Sequence, residues 1–139
     1  MTLAYISTDG LRLQTLDGEP LITVRQRPRL KTWHWAVAGK PLGEAPGHYG
    51  SPAEALRAAA KTSDWTLVQL YPDTAAGALA CLRDDSRLKL AGATAEPDPA
   101  VKGVWRVTTA GGLRAIVYLA GYRDPFGDVR VTNDFETEE

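Results

Sequence analysis

A run of basic side chains leads directly into two tryptophans in the first third of the chain. The run consists of Arg25, Arg27, Arg29 and Lys31, followed by Trp33 and Trp35. Guanidinium and ammonium groups bind phosphates, and aromatic faces stack on nucleic-acid bases. The segment therefore predicts either a nucleic-acid-binding surface or a solvated hairpin edge, where positive charge discourages aggregation.

Aromatic side chains near loops and strand ends point to a second kind of partner. They are Trp33, Trp35, Tyr49, Tyr122 and Phe126. Aromatic anchors of this kind serve protein–protein interfaces, and an open sheet edge accepts a partner strand or a second copy of the chain. We therefore expect a protein partner first, as for an inhibitor, adaptor or assembly factor, and DNA or RNA as the alternative. A homodimer is also compatible with open edges. The expected binding residues are Arg25, Arg27, Arg29, Lys31, Trp33, Trp35 and Tyr49.

The residues that most often perform catalysis or bind metal are sparse. His34 and His48 are the only histidines and Cys81 is the only cysteine, so neither a zinc motif nor a disulfide is expected. Ser51 follows His48 closely, but its place before Pro52 suits a helix cap better than a nucleophile. Neither phosphate-loop nor dinucleotide-binding spacing occurs. We expect no catalytic activity, no cofactor and no metal, and a hydrolase centred on His48 is the third alternative after the two kinds of binding protein.

Composition limits the class of protein. The 139 residues carry a formal net charge of −1, and 44% of them are hydrophobic, which is typical of a folded globular chain and excludes a polycationic coat protein. No apolar run approaches the ~20 residues that span a bilayer. The first residues, 1–6, lack the basic and apolar regions of a signal peptide. We expect a cytoplasmic protein without a membrane segment.

Turn residues and hydrophobic periodicity predict the elements. The first half predicts strands, with a two-residue hairpin turn at Asp9-Gly10, and Ser51-Pro52-Ala53-Glu54 predicts a capped helix as far as about Lys61. The second half predicts a helix capped by Asp73, then strands. The predicted strands are 3–7, 11–16, 21–27, 31–38, 65–71, 88–95, 104–109, 113–120 and 128–133.

These elements predict an α+β fold: antiparallel, hairpin-rich sheets with two short helices. We expect a single domain over 1–134, with 1–71 and 72–134 as sub-halves, followed by a frayed acidic tail over 135–139.

One part of the pattern resembles a known family. The residues are Val24-Arg-Gln-Arg-Pro28, Lys31, Trp33, Gly39, Leu42-Gly43, Tyr49 and 51–59, and they look like the AP2-type DNA-binding domain and the integrase arm-binding domains of similar build. The resemblance implies a three-stranded sheet packed on one helix. It also implies DNA contacts from Arg25, Arg27, Lys31 and Trp33.

Overall fold

The computed structural model describes residues 2–27, 29–39, 48–83, 90–123 and 125–138. The chain divides into two compact units, Met1–Gln69 and Leu70–Glu139, and each has its own hydrophobic core. The α+β class with mostly antiparallel sheets and two short helices is confirmed. The prediction of one domain over 1–134 stays a prediction.

The first unit is a five-stranded sheet with one helix. The strands are β1 (Thr2–Ile6), β2 (Arg12–Gln14), β3 (Pro20–Gln26), β4 (Trp33–Val37) and β5 (Trp65–Gln69), and the helix is α1 (Pro52–Ser63). The strand order is β4-β3-β2-β1-β5. Neighbours β1 to β4 pair antiparallel, whereas β1 and β5 run parallel.

Alternation along the strands sends one set of side chains toward α1. Leu13 and Ile22 are paired across β2 and β3 and are buried with Leu56 of the helix. Small residues on that helix, Ala55 and Ala59, are also fully buried, so the helix packs closely on the sheet. The other face of β2 to β4 therefore carries the polar side chains.

The predicted start of α1 is confirmed. Glu54 N donates to Ser51 Oγ at 3.2 Å, and Gly50 N donates to Glu54 Oε2 at 2.9 Å. The first bond is the N-cap bond of a capping box. The second holds the amide of the residue before the N-cap, and the Ser51 hydroxyl has a structural role in the cap.

The second unit is a four-stranded antiparallel sheet with one helix. It contains α2 (Ala75–Arg83), β6 (Thr94–Pro97), β7 (Val104–Thr108), β8 (Arg114–Tyr118) and β9 (Asp134–Glu138), in the order β6-β7-β8-β9. Leu82 of α2 is buried with Val107 and Val117 of the central strands. The predicted hairpin of β7 and β8 is confirmed.

The acidic tail is a strand rather than a frayed end. Residues 134–138 pair with β8 over its full length, and the prediction of fraying over 135–139 is wrong for the described residues. Asp134, Glu136 and Glu138 alternate with Phe135 and Thr137, and Phe135 packs on the core. The many acidic residues suggested a solvated tail, although they alternate with other residues at the two-residue period of a strand.

Four other predictions need correction. Residues 128–133 form an irregular arm with one bridge, Arg123 to Val129, instead of a strand. The turn between β1 and β2 is longer than two residues, because Ser7 N donates to Arg12 O around residues 8–11. The Thr74 hydroxyl, rather than Asp73, caps α2 by accepting from Gly77 N at 3.0 Å. Of the predicted strand 88–95, residues 88–89 lie outside the described residues and β6 begins only at Thr94.

Candidate functional site

The pairing of β3 with β4 sorts the basic-aromatic segment onto two faces. Arg25 lies opposite His34, and Arg27 N donates to Thr32 O at 2.7 Å. Directly paired residues share a face of a sheet. Arg25 and Arg27 therefore lie on the face away from α1, two residues apart along one strand.

Arg12 joins these two arginines from the neighbouring strand. It pairs with Thr23, which precedes Arg25 by two residues and so shares its face. Arg12 is exposed, and its Nε donates to Gln14 Oε1 at 3.2 Å. Arg12 is not among the binding residues predicted from the sequence. Its position between Leu11 and Leu13 could have indicated it, because residues alternate between the two faces of a strand and Leu13 faces the core.

Arg29 and Lys31 lie in the turn between β3 and β4, and both are exposed. Lys31 has a left-handed backbone, with φ of 53°. We call Arg12, Arg25, Arg27, Arg29 and Lys31 the basic patch. The ion pair of Arg106 with Asp98 lies in the second unit, and no ion pair between described residues involves the basic patch. Asp9 is nevertheless close enough to interact with Arg12: hydrogen bonds from Ser7 and Leu11 lower the pKa of its carboxyl group, and the charge of Arg12 lowers it further.

The aromatic side chains of the segment lie on the opposite face. Trp35 pairs with Val24 and Trp33 with Gln26, and Tyr49 forms a two-hydrogen-bond bridge to Trp33. All three rings pack partly buried against the core of the first unit. The structure thus brings the four predicted basic residues together and separates them from Trp33, Trp35 and Tyr49. The DNA-binding resemblance implies contacts from both Arg25 and Trp33. In the structure, however, these two residues lie on opposite faces of the sheet.

His34 lies beneath the basic patch and is only 8% exposed. Among the described residues, neither His34 Nδ1 nor Arg27 Nε has a hydrogen-bond partner. Burial lowers the pKa of His34, and the nearby positive charges of Arg27, His48 and Arg25 lower it further. The imidazole is therefore neutral near pH 7 and adds no positive charge to the basic patch.

His48 lies at the edge of the same region. Its Nδ1 is 3.2 Å from the Thr32 hydroxyl. Thr32 is paired with Arg27, on the same face of the sheet as Arg25 and His34. The Ser51 hydroxyl instead serves the helix cap, and the hydroxyl beside His48 is that of Thr32.

The described residues contain no cluster of three potential metal ligands. No described helix is long and apolar enough to cross a bilayer. No protein-family model, curated protein or solved structure matches the chain.

Proposed function

We propose that the chain is a non-catalytic, cytoplasmic macromolecule-binding protein whose partner is nucleic acid. The observation that supports the proposal is the basic patch: five cationic side chains on adjoining strands and one turn, none of them in an ion pair with another described residue. Paired strands fix the spacing of these charges before a ligand arrives, which lowers the entropic cost of binding.

The spacing allows neighbouring arginines to reach separate phosphates. Residues two apart on a strand, such as Arg25 and Arg27, are separated by about 7 Å. Over that length of axis a duplex carries about four phosphate charges. Arginine suits such a surface because its planar guanidinium donates two parallel hydrogen bonds to one phosphate.

The position of the aromatic rings selects the mode of binding. Trp33, Trp35 and Tyr49 pack against the core and do not stack on bases at the basic patch. Contacts to phosphate oxygens alone carry little sequence information. We therefore propose backbone binding to duplex nucleic acid, with weak sequence preference.

The same observation favours nucleic acid over a protein partner. Protein interfaces depend on aromatic and arginine anchors in well-packed central pockets. The aromatic anchors that make a protein partner the first expectation from sequence are partly buried in the chain's own core. The basic patch therefore offers a partner charged side chains and no aromatic anchor.

Fluorescence anisotropy with labelled 20-base-pair duplexes of mixed sequence tests the proposal. At about 50 mM salt, replacing both Arg25 and Arg27 by Gln should weaken binding to DNA or RNA duplexes by tenfold or more, because each removes a charged phosphate contact. Arg57→Gln is the matched control, since Arg57 is an exposed arginine on α1.

Two results would overturn the proposal. One is the absence of duplex binding at about 50 mM salt, and the other is equal weakening by Arg57→Gln and by the double variant. A stoichiometric protein partner that tolerates the double variant, in the absence of duplex binding, would establish the inhibitor or adaptor alternative.

A further inference from the structure

The second unit contains a cavity on the face of its sheet away from α2. Its volume is about 220 Å³. The floor consists of side chains from the two central strands, where Val104 pairs with Tyr118 and Arg106 with Ile116. The walls are the turn over residues 98–103 and the arm that includes residues 122–123 and 125–130.

Local hydrogen bonds and packing hold the walls in place. Asp98 Oδ1 accepts from the amides of Ala100 and Val101 at 2.8 and 3.1 Å. On the other side, Gly103 has φ of 80°, and a Cβ built there would lie 2.5 Å from the ring of Tyr122. The Tyr122 ring therefore lies directly on the Gly103 backbone, and the cavity is preformed.

Positive charge predominates among the described residues that line the cavity. Four are cationic, namely Lys102, Arg106, Arg123 and Arg130, whereas Asp98 is the one carboxylate. That carboxylate is already engaged, because its Oδ2 is 3.7 Å from Arg106 Nη2 and its Oδ1 caps the turn. Burial raises the pKa of the Tyr118 hydroxyl, and the nearby Glu136 and Asp134 carboxylates raise it further. Both carboxylates belong to the neighbouring strand β9, and neither lines the cavity.

One of these cations is held in a defined orientation. The Arg130 guanidinium lies 4.0 Å from the centroid of the Tyr118 ring. Stacking on an aromatic face leaves the edge of the guanidinium, with its N–H donors, available to a ligand. Arg123, in contrast, donates to the carbonyl of Gly127 at 3.1 Å and braces the arm.

We propose that this cavity binds a small organic anion with a flat apolar or aromatic body. The body lies on Val104 and Ile116, beside the Tyr118 ring that the Arg130 guanidinium covers. The anionic group accepts from Arg130 and faces Lys102. Ligand sites combine a largely apolar lining with a few polar groups that fix orientation. The volume suits one or two fused rings.

The titration of the full chain with 2-naphthoate tests this site, with 2-naphthamide as a neutral ligand of nearly the same shape. Amide resonances of residues 98–106 and 116–123 should shift on addition of naphthoate. The amide analogue should bind roughly tenfold more weakly, because it lacks the charge-assisted hydrogen bonds.

Variants separate the cavity from general positive charge. Arg130→Gln should weaken naphthoate binding roughly tenfold and leave naphthamide binding unchanged, and Lys102→Gln, at an exposed position that does not affect folding, should weaken it less. Arg114→Gln is the control, because Arg114 lies on the same face of β8 but does not line this cavity.

Three results would overturn the proposal: no binding at millimolar naphthoate, equal affinity for the acid and the amide, or an equal loss in Arg114→Gln and Arg130→Gln. The Arg25 and Arg27 double variant should bind naphthoate normally. Failure of this proposal and failure of the nucleic-acid proposal are therefore distinguishable.

Discussion

At the residue scale, strand alternation decides which side chains are available to a partner. In the sequence, Arg25 lies within ten residues of Trp33 and Trp35, which predicts one surface that combines basic and aromatic side chains. Pairing of β3 with β4 instead puts the arginines and the tryptophans on opposite faces. Linear proximity did not predict this separation, because face assignment depends on register, which becomes definite only when the partner strand is known.

The buried imidazole of His34 should make stability depend on pH. Its pKa in the folded chain is lowered by burial and by neighbouring positive charge, whereas in the unfolded chain it is about 6.5. As the pH falls through that value, the unfolded chain binds a proton that the folded chain does not, so the free energy of unfolding decreases. Above pH 6.5 this contribution to stability is fully present.

Urea unfolding at pH 7.5 and 5.5 measures this effect. Wild type should lose more stability over this interval than His34→Gln, by at most about 1.4 kcal/mol in total, because the loss arises below pH 6.5. Identical pH dependence in wild type and His34→Gln would contradict the expectation.

The cap of α1 gives a second prediction at this scale. Ser51→Ala removes the acceptor for Glu54 N and should lower the free energy of unfolding by about 1 kcal/mol. Ser63→Ala, at the last residue of the same helix, is the matched control and should change stability by less than about 0.5 kcal/mol. Equal effects of the two substitutions in urea titrations would count against the capping box.

At the element scale, local signals predicted the elements whose ends carry turn or cap residues. The capping box located α1, and alternating side chains between turns located β3, β4, β7 and β8. The parallel pairing of β1 with β5 had no local signal, since it joins residues more than sixty apart. Strand β9 was missed because its acidic composition resembles a solvated tail, although Phe135 anchors it to the core.

The first turn of α2 contains Gly77, although glycine has a low helix propensity. Alanine is normally better than glycine in a helix by about 1 kcal/mol. At Gly77, however, a Cβ would lie 2.0 Å from the carbonyl oxygen of Pro72. Gly77→Ala should therefore destabilise the chain by about 1–3 kcal/mol, as other overpacked sites do.

Thermal unfolding compares this substitution with Gly111→Ala. At Gly111 the nearest atom to a built Cβ is the Thr109 hydroxyl at 4.0 Å, an ordinary contact, so its midpoint should change little. A stabilised Gly77→Ala variant would show that the backbone around Pro72 accommodates the added methyl group.

At the scale of the whole molecule, charge is distributed unevenly between the units. Residues 1–69 carry eight basic and six acidic side chains, a net charge of +2, whereas residues 70–139 carry eight and eleven, a net charge of −3. The overall charge of −1 therefore conceals a positive first unit. Binding to a polyanion must come from the basic patch, because the chain as a whole provides no attraction.

The salt dependence of duplex binding should measure the size of the patch. Each phosphate neutralised contributes about −0.9 to the slope of log K against log salt, so the intact patch should give a slope of about −4. Removing Arg25 and Arg27 should make the slope shallower by about 2. A slope near zero for wild type would exclude phosphate contacts as the source of affinity.

The parallel pair of β1 and β5 has a consequence for the order of synthesis. Strands β1 and β2 are complete by residue 14, but β5 ends only at residue 69. At 5–20 residues per second, the free edge of β1 waits about 3–11 s for its partner. During that interval an unpaired strand edge is open to other nascent chains. Slower translation of residues 15–69 should therefore lower the yield of folded protein, and a ribosome-associated chaperone that shields β1 should restore it.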